Sequence, residues 1–252
     1  MVKYALITGA SSGFGAAIAS SLAKEGYGLI LTARRLDRLI ALKETLSQES
    51  PDIIIGKLDV RDRAAVNQWV DALGDHVKQN LSILINNAGL AAGRSTIDQG
   101  LASDWEQMID TNLTGLLYVS QAVIPLLKAR KEGLIINITS IAGKEAYPQG
   151  NVYCATKAAV DQLTKGMRMD LLPFGIRVSS IAPGAAETEF SLVRFKGDED
   201  QASAVYQGFT PLDAKDISDA VQFIVTRPPH VSIHDLVIMP SAQASATLFK
   251  KD

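Results

Sequence analysis

The chain reads as an α/β protein built on a doubly wound, mostly parallel sheet with helices on both faces. Three features predict this. Short apolar runs recur along the whole length, amphipathic stretches separate them, and the first run leads straight into a glycine-rich loop. The runs are Tyr4–Thr8, Gly28–Ala33, Asp52–Leu58, Ile83–Asn86, Leu134–Thr139, Arg177–Ile181 and Leu236–Met239, which makes seven candidate strands. Their near-continuous hydrophobicity, as in Leu134-Ile135-Ile136-Asn137-Ile138, fits strands covered on both faces. Between them, Ile18 and Leu22 stand four apart within Ala16–Lys24, the spacing of one helix face. Val160, Leu163, Met167 and Leu171 continue that period later, and Pro173 with Gly175 ends the helix. No linker, repeat or low-complexity tract interrupts the rhythm, so residues 1–252 read as one domain. One segment departs from it. After Ala182-Pro183-Gly184 a long excursion, with residues 185–212 at its heart and the charged patch Arg194 to Asp200 inside, precedes the last strand. Open α/β sheets place ligand-binding loops at the carboxyl ends of strands. The other reading is a surface insertion.

Composition narrows the classes of function. Of 252 residues, 47% are hydrophobic and 21% charged, which excludes a disordered, collagen-like or coiled-coil chain. A net charge of −2 gives no electrostatic footprint for nucleic acid or an anionic membrane, leaving a small molecule as the expected partner. A single cysteine, Cys154, points to a reducing compartment. No apolar run approaches the ~20 residues needed to span a bilayer, and Val2 to Thr8 is too short for a secretory signal. The expected location is cytoplasmic.

The loop after the first strand is Thr8-Gly9-Ala10-Ser11-Ser12-Gly13-Phe14-Gly15. Glycines let a backbone turn tightly and approach a pyrophosphate, and the helix that follows offers free N–H donors and a favourable dipole. Strand before and helix after are the context a dinucleotide site requires. Gly9, Ser11, Ser12, Gly13, Phe14 and Gly15 are therefore candidate cofactor residues, with a purely structural turn as the alternative. The second strand ends Thr32-Ala33-Arg34-Arg35-Leu36, with no acid before Asp37. A carboxylate there would suit a free ribose hydroxyl, whereas a guanidinium pairs with a 2′-phosphate. Arg34 and Arg35 thus favour NADP(H) over NAD(H), unless both merely solvate a helix start.

A third constellation is Ser140, Tyr153 and Lys157. Positions 153 and 157 lie on one helix face, so phenol and ammonium project together. A phenol with a reference pKa of about 10 is a poor base at neutrality, and a nearby cation favours its ionised form. Behind a strand ending at Ser140, the set reads as proton-transfer machinery.

With these motifs in order, the chain resembles the short-chain dehydrogenase/reductase family along nearly its whole length. Thr8–Gly15, Asp59-Val60, Asn86-Asn87-Ala88-Gly89, Asn112, Ser140, Tyr153-x-x-x-Lys157 and Pro183-Gly184 carry the resemblance. It implies a Rossmann-type fold with Asp59 and Val60 beside the adenine and with Asn86, Ala88 and Gly89 beside the cofactor. Pro183, Gly184 and Thr188 join the cofactor residues on the same grounds. It further implies that Ser140 holds the substrate oxygen and Tyr153 exchanges the proton. Lys157 binds the nicotinamide ribose and lowers the Tyr153 pKa, and Asn112 anchors a relay water. The long helices around Asp104–Leu127 and Tyr153–Leu172 are, in that family, the ones that pair across two-fold axes, so a homotetramer is expected.

Asp104-Trp105-Glu106-x-Met108-Ile109-Asp110-Thr111-Asn112, Gly150-Asn151-Val152-Tyr153 and Thr188-Glu189-Phe190-Ser191-x-Val193-Arg194-Phe195-Lys196-Gly197 are similar to one subgroup. It comprises NADP-dependent 3-hydroxy acid (serine) dehydrogenases and malonic semialdehyde reductases, with sulfoacetaldehyde reductases close by. The substrate implied is a small alcohol or aldehyde with an acidic group, such as serine, 3-hydroxypropionate, malonic semialdehyde or sulfoacetaldehyde. Arg94, Arg194 and Lys196 are the candidate cations for that group, with a solvated surface charge as the alternative reading of each. The rivals are a 3-oxoacyl-carrier-protein or general carbonyl reductase and a catalytically silent NADP-binding sensor. Cys154 reads as a packed thiol, since no base partner accompanies it. His230 and His234 lie in extended chain with no clustered ligands, so no metal is expected.

Overall fold

A computed structural model describes residues 2–252. Seven strands, β1 (Tyr4–Thr8), β2 (Gly28–Ala33), β3 (Ile53–Lys57), β4 (Leu81–Asn86), β5 (Gly133–Ile138), β6 (Ile176–Pro183) and β7 (Asp235–Ile238), form one sheet in the order β3-β2-β1-β4-β5-β6-β7. Every pairing is parallel. The helices are α1 (Gly13–Lys24), α2 (Leu36–Leu46), α3 (Arg63–Asp71), α4 (Asp75–Asn80), α5 (Ala102–Ile109), α6 (Gly115–Arg130), α7 (Asn151–Leu171), α8 (Glu189–Arg194), α9 (Glu199–Ala204) and α10 (Ala214–Val225). Among the described residues no helix is long and apolar enough to cross a membrane.

The continuous apolar runs make sense in this arrangement. Alternate residues of a strand face opposite sides, so both sides of a sheet covered by helices must be apolar. Ile7, Leu31, Ile85 and Ile136 belong to one core with Ile18 and Leu22 of α1, Leu39 of α2 and Ile217 and Ile224 of α10. Leu6, Ile30, Leu84 and Ile135 belong to the other, with Val66 and Val70 of α3 and Val119, Val123 and Leu127 of α6. Truncating one such buried side chain to alanine costs about 2–5 kcal/mol.

The sequence reads Asp104–Leu127 as a single long helix. The chain instead interposes a π-helical turn, Asp110–Thr114, between α5 and α6. Such insertions widen the helix locally and often mark functional positions; here the turn contains Asn112. Chain order reverses between β1 and β4, and the crevice outside their carboxyl ends is where such sheets bind ligands. The excursion after β6 arches over that crevice. Its base is stapled where Glu187 N donates to Leu212 O (2.8 Å) and Leu212 N to Ala185 O (3.0 Å). The chain after β7 then folds back on it. Lys250 N donates to Ala242 O (2.8 Å), Asp252 N to Gly208 O (2.9 Å), and Phe249 packs on Phe209 with ring centroids 5.0 Å apart.

Candidate active site

A cavity of about 710 Å³ opens at the carboxyl ends of the strands, between the glycine loop and the excursion. Of the residues singled out in the sequence, Gly9, Ser11, Ser12, Gly13, Phe14, Arg34, Arg35, Asp59, Val60, Ala88, Gly89, Arg94, Ser140, Tyr153, Lys157, Pro183, Gly184, Thr188 and Arg194 line it. Gly15, Asn86, Asn112 and Lys196 do not.

Each of these four has another physical role. A Cβ on Gly15 would sit 2.4 Å from Gly9 O, so this glycine lets α1 pack against the loop. Asn86 is buried within the sheet, its Nδ2 donating to Ser120 Oγ (3.0 Å) and to Asn137 Oδ1 (2.9 Å), which ties β4 to β5 and α6. Asn112 uses its side chain on its neighbours: Oδ1 accepts from Leu90 N (2.8 Å), and Nδ2 donates to Leu90 O (2.8 Å) and Thr156 Oγ1 (3.1 Å). It therefore fixes the strand-β4 loop against α7. Lys196, expected as a substrate cation, instead lies 3.0 Å from Asp104 Oδ1 on α5, and this ion pair spends its charge outside the cavity.

The glycine loop is shaped for close approach. Gly9 and Gly13 adopt left-handed backbone (φ +66° and +52°), and a Cβ on Gly9 would fall 2.9 Å from Ala88 Cα. Thr8 Oγ1 accepts from Asn87 N (3.1 Å) and Ala88 N (3.0 Å), locking the loop to the end of β4. Beyond β2, Arg34 is exposed and half-buried Arg35 donates to Ser12 Oγ (2.7 Å) and Ser11 Oγ (3.3 Å). Arg61 Nη2 lies 2.6 Å from Asp59 Oδ2, and its hydrogen bond holds the Asp59 carboxyl below the usual range.

Ser140, Tyr153 and Lys157 meet at the cavity floor. Ser140 caps the 3₁₀ turn Ile141–Gly143, its Oγ accepting from Ala142 N (3.1 Å). Tyr153 is buried, and desolvation pushes its phenol well above the ordinary value, opposed by the Ser140 hydrogen bond and the Arg194 charge. Lys157 Nζ donates to Ile138 O (2.9 Å) and lies 6.0 Å from the Tyr153 ring centroid. Burial drives the Lys157 ammonium down to about 8. The resemblance assigns Lys157 the task of lowering the phenol pKa; here its ammonium is turned to the Ile138 carbonyl, and Ser140 and Arg194 are the groups that oppose the rise.

The excursion closes the cavity from above. Thr188 caps α8, its Oγ1 accepting from Phe190 N (3.2 Å), and Phe190 stacks obliquely on Tyr153 with centroids 5.6 Å apart. The Arg194 guanidinium lies 5.5 Å from the Tyr147 ring centroid and 5.8 Å from that of Tyr153, while its Nε donates to Gly93 O (3.4 Å). Arg94 is exposed at the rim. Sequence reasoning missed Tyr147, Phe190 and the tail residues Gln243, Ala246, Thr247, Phe249 and Lys251, all of which line the cavity. Gln243 Oε1 accepts from Ala185 N (2.7 Å), a contact no local pattern announces. Among the described residues no cluster of His, Cys, Asp or Glu could hold a metal ion.

Comparison with known proteins agrees with this geometry. The family model for short chain dehydrogenases matches residues 3–198. A sulfoacetaldehyde reductase of Chromohalobacter salexigens is 47% identical over 245 residues, 97% of this chain and 96% of that protein. The NADP-dependent 3-hydroxy acid dehydrogenase YdfG of Escherichia coli is 44% identical over 244 residues, 96% of this chain and 97% of that protein. Among solved structures, the closed form of serine dehydrogenase complexed with NADP+ superposes with a TM-score of 0.93 at 43% identity, covering 99% of both chains. A serine dehydrogenase from Escherichia coli gives 0.82 at 39% identity, covering 96% of this chain and 99% of that one.

Proposed function

The chain belongs to the short-chain dehydrogenase family and is an NADP(H)-dependent oxidoreductase acting on CH–OH groups; within that class we propose that its substrate is a small aldehyde or alcohol carrying a carboxylate or sulfonate. The observation that carries the reading is the Arg194 guanidinium set over Tyr153, beside Ser140, in the same cavity as the glycine loop.

The donor set fits the cofactor. A Cβ on Gly89 would sit 3.3 Å from both Lys157 Nζ and Asn112 Oδ1, so the missing side chain leaves room beside the ammonium. Thr111 Oγ1 is buried without a hydrogen-bond partner and lines the cavity, an acceptor and donor available to a ligand. The loop Gly9–Gly15 would hold the pyrophosphate, and Arg34 and Arg35 the 2′-phosphate, where planar guanidiniums pair with phosphate oxygens. Asp59 and Val60 would flank the adenine, Lys157 would meet the nicotinamide ribose, and Pro183, Gly184 and Thr188 would form the wall opposite. When bound, the nicotinamide supplies or accepts hydride.

The residues of the chain manage the proton and the charge. Ser140 Oγ donates to the substrate oxygen and holds it beside the phenol. Tyr153 keeps its proton at neutral pH, because burial raises its pKa, and is thus ready to donate to an oxygen gaining negative charge. Preorganised donors of this kind lower such barriers by about 2.7–4 kcal/mol each. Arg194, reaching down from α8, faces the acidic group, and its charge also favours the phenolate that forms after donation. Phe190 and the tail exclude water, which strengthens these contacts. Residues 1–252 act in this account as one NADP-binding domain, with 185–212 as its substrate lid.

The test is a panel of small aldehydes, acidic and neutral, reduced with NADPH and with NADH. Acidic aldehydes should show the higher kcat/KM, and NADPH should bind about tenfold tighter than NADH, which corresponds to about 1.4 kcal/mol. Arg34→Asp should shrink or reverse the cofactor preference. Equal affinity for both cofactors, or preference for neutral aldehydes, would overturn the proposal.

A further inference from the structure

The helix α8 is tied down at both ends. On the substrate side, Gly93 N donates to Arg194 O (2.9 Å), and Lys196 pairs with the nearly buried Asp104 two residues on. On the adenosine side, Glu189 is the first residue of α8 and its carboxylate takes two partners. Arg35 Nη1 donates to Oε2 at 2.9 Å, and Arg38 of α2 pairs with Oε1. Arg35 also grips Ser11 and Ser12 of the glycine loop, so one guanidinium joins β2's end, the loop and the lid. Between the two ties stand Phe190, against Tyr153, and Arg194.

Charge arithmetic supports a defined role for this contact. Arg34, Arg35 and Arg38 bring three positive charges to the end of the cleft, and the Glu189 carboxylate offsets one. Asp37 beside Arg38 offsets another and the Asp59–Arg61 pair is neutral, so this end of the cleft stays net positive. Glu189 therefore satisfies Arg35 and Arg38 on their lid-facing side without cancelling the site's attraction for an anion. Neither the acid nor Arg38 touches the reacting groups.

We propose that Glu189 is a positioning residue: it fastens the lid to the Arg35–Arg38 pair, so that the guanidinium facing the cofactor's phosphate also holds Phe190 and Arg194 over the reacting atoms. The proposal rests on the reading of Arg35 as a phosphate-facing residue, but the tie itself is present in the chain alone. Both ion pairs are partly exposed, so each contributes modestly and is weakened by salt.

Hydrogen exchange at the amides of residues 190–197 tests it, on the full chain without cofactor. In Glu189→Gln these amides should exchange about three- to tenfold faster than in the wild type, the range expected for losing two partly exposed pairs. Raising the salt concentration should speed exchange more in the wild type than in the variant, which keeps only the Lys196–Asp104 pair. Arg38→Gln should give a smaller increase, and the double variant should add nothing to Glu189→Gln, as coupled residues do. The KM for an acidic aldehyde should rise in parallel while kcat changes less. Wild-type exchange rates in Glu189→Gln, or additive effects in the double variant, would overturn the proposal. Calorimetry with adenosine 2′,5′-bisphosphate against 5′-AMP separates the two ideas. Loss of preference for the bisphosphate would sink the phosphate reading alone, whereas faster exchange of the wild-type lid on adding the bisphosphate would show competition for Arg35 and sink the latch.

Discussion

Replacing Arg194 by methionine removes a charge from the site and keeps much of the apolar stem. In the structure that guanidinium lies within 6.0 Å of the Tyr147, Tyr153 and Phe195 ring centroids, and its Nε meets Gly93 O. A hydrogen bond to an ionised group contributes about 1.5–3 kcal/mol, which is about ten- to hundredfold in affinity. Because Arg194 is half-buried rather than fully enclosed, the lower part of that range applies. The KM for malonic semialdehyde or sulfoacetaldehyde should therefore rise about tenfold or somewhat more. For propanal, which has no acidic group, it should change by less than about twofold, within the energy of one lost packing contact. Removing the charge also withdraws a pull that lowers the Tyr153 pKa, so any fall in kcat from that source should be shared by both substrates. Steady-state kinetics at saturating NADPH separates the two effects. An equal rise in KM for acidic and neutral aldehydes would refute the argument and reduce Arg194 to a residue that shapes the lid.

Three further expectations follow from the same geometry. Tyr153→Phe removes only the hydroxyl, so cofactor binding measured by fluorescence should survive while kcat falls by about 10²–10⁴, the usual range for lost acid–base catalysis. Lys157 has a folded pKa of about 8 against an ordinary 10.5, so the unfolded chain binds more protons between those values. This residue therefore makes stability rise with pH across that window and imposes its full cost below it. Lys157→Met should remove a penalty of about 3 kcal/mol at neutral pH and lose about 1 kcal/mol by orphaning the Ile138 carbonyl. Chemical denaturation without cofactor should then show a more stable but inactive protein, with the pH slope gone; a destabilised variant would contradict the assignment of a buried, costly ammonium. Finally, Ile109 at the end of α5, Leu117 near the start of α6, and Met169 and Leu172 at the end of α7 are exposed apolar residues, surfaces suited to pairing across two-fold axes. Light scattering should give four times the mass of one chain, and a monomer mass would exclude the homotetramer.

The strands were readable because helices on both faces force continuous apolar runs, and β1, β2, β4 and β5 are buried at every position. The glycine loop and the Tyr153–Lys157 pair were readable because their spacing is local: one turn, and one helix face. Lys196 shows where that legibility ends. Its position in the excursion suggests a substrate cation, but its partner Asp104 lies on α5, about ninety residues earlier, and only the folded chain brings them within 3.0 Å. The same holds for Glu189 with Arg35 and Arg38, and for Gln243 with Ala185. Asn112 carries a further lesson. Resemblance alone names it as a site residue, and only the folded chain shows its side chain, carried on the π-helical turn, bonded to Leu90 and Thr156.

The most direct measurement is the fate of deuterium from NADPH labelled at both C4 positions, followed by mass spectrometry of the product from an acidic aldehyde. One deuterium should appear on the carbinol carbon with the wild-type protein. Transfer should be about tenfold or more slower from labelled NADH, the preference set by phosphate recognition, and slowed by about 10²–10⁴ in Tyr153→Phe. An unlabelled product, or equal transfer from both cofactors, would contradict the mechanism.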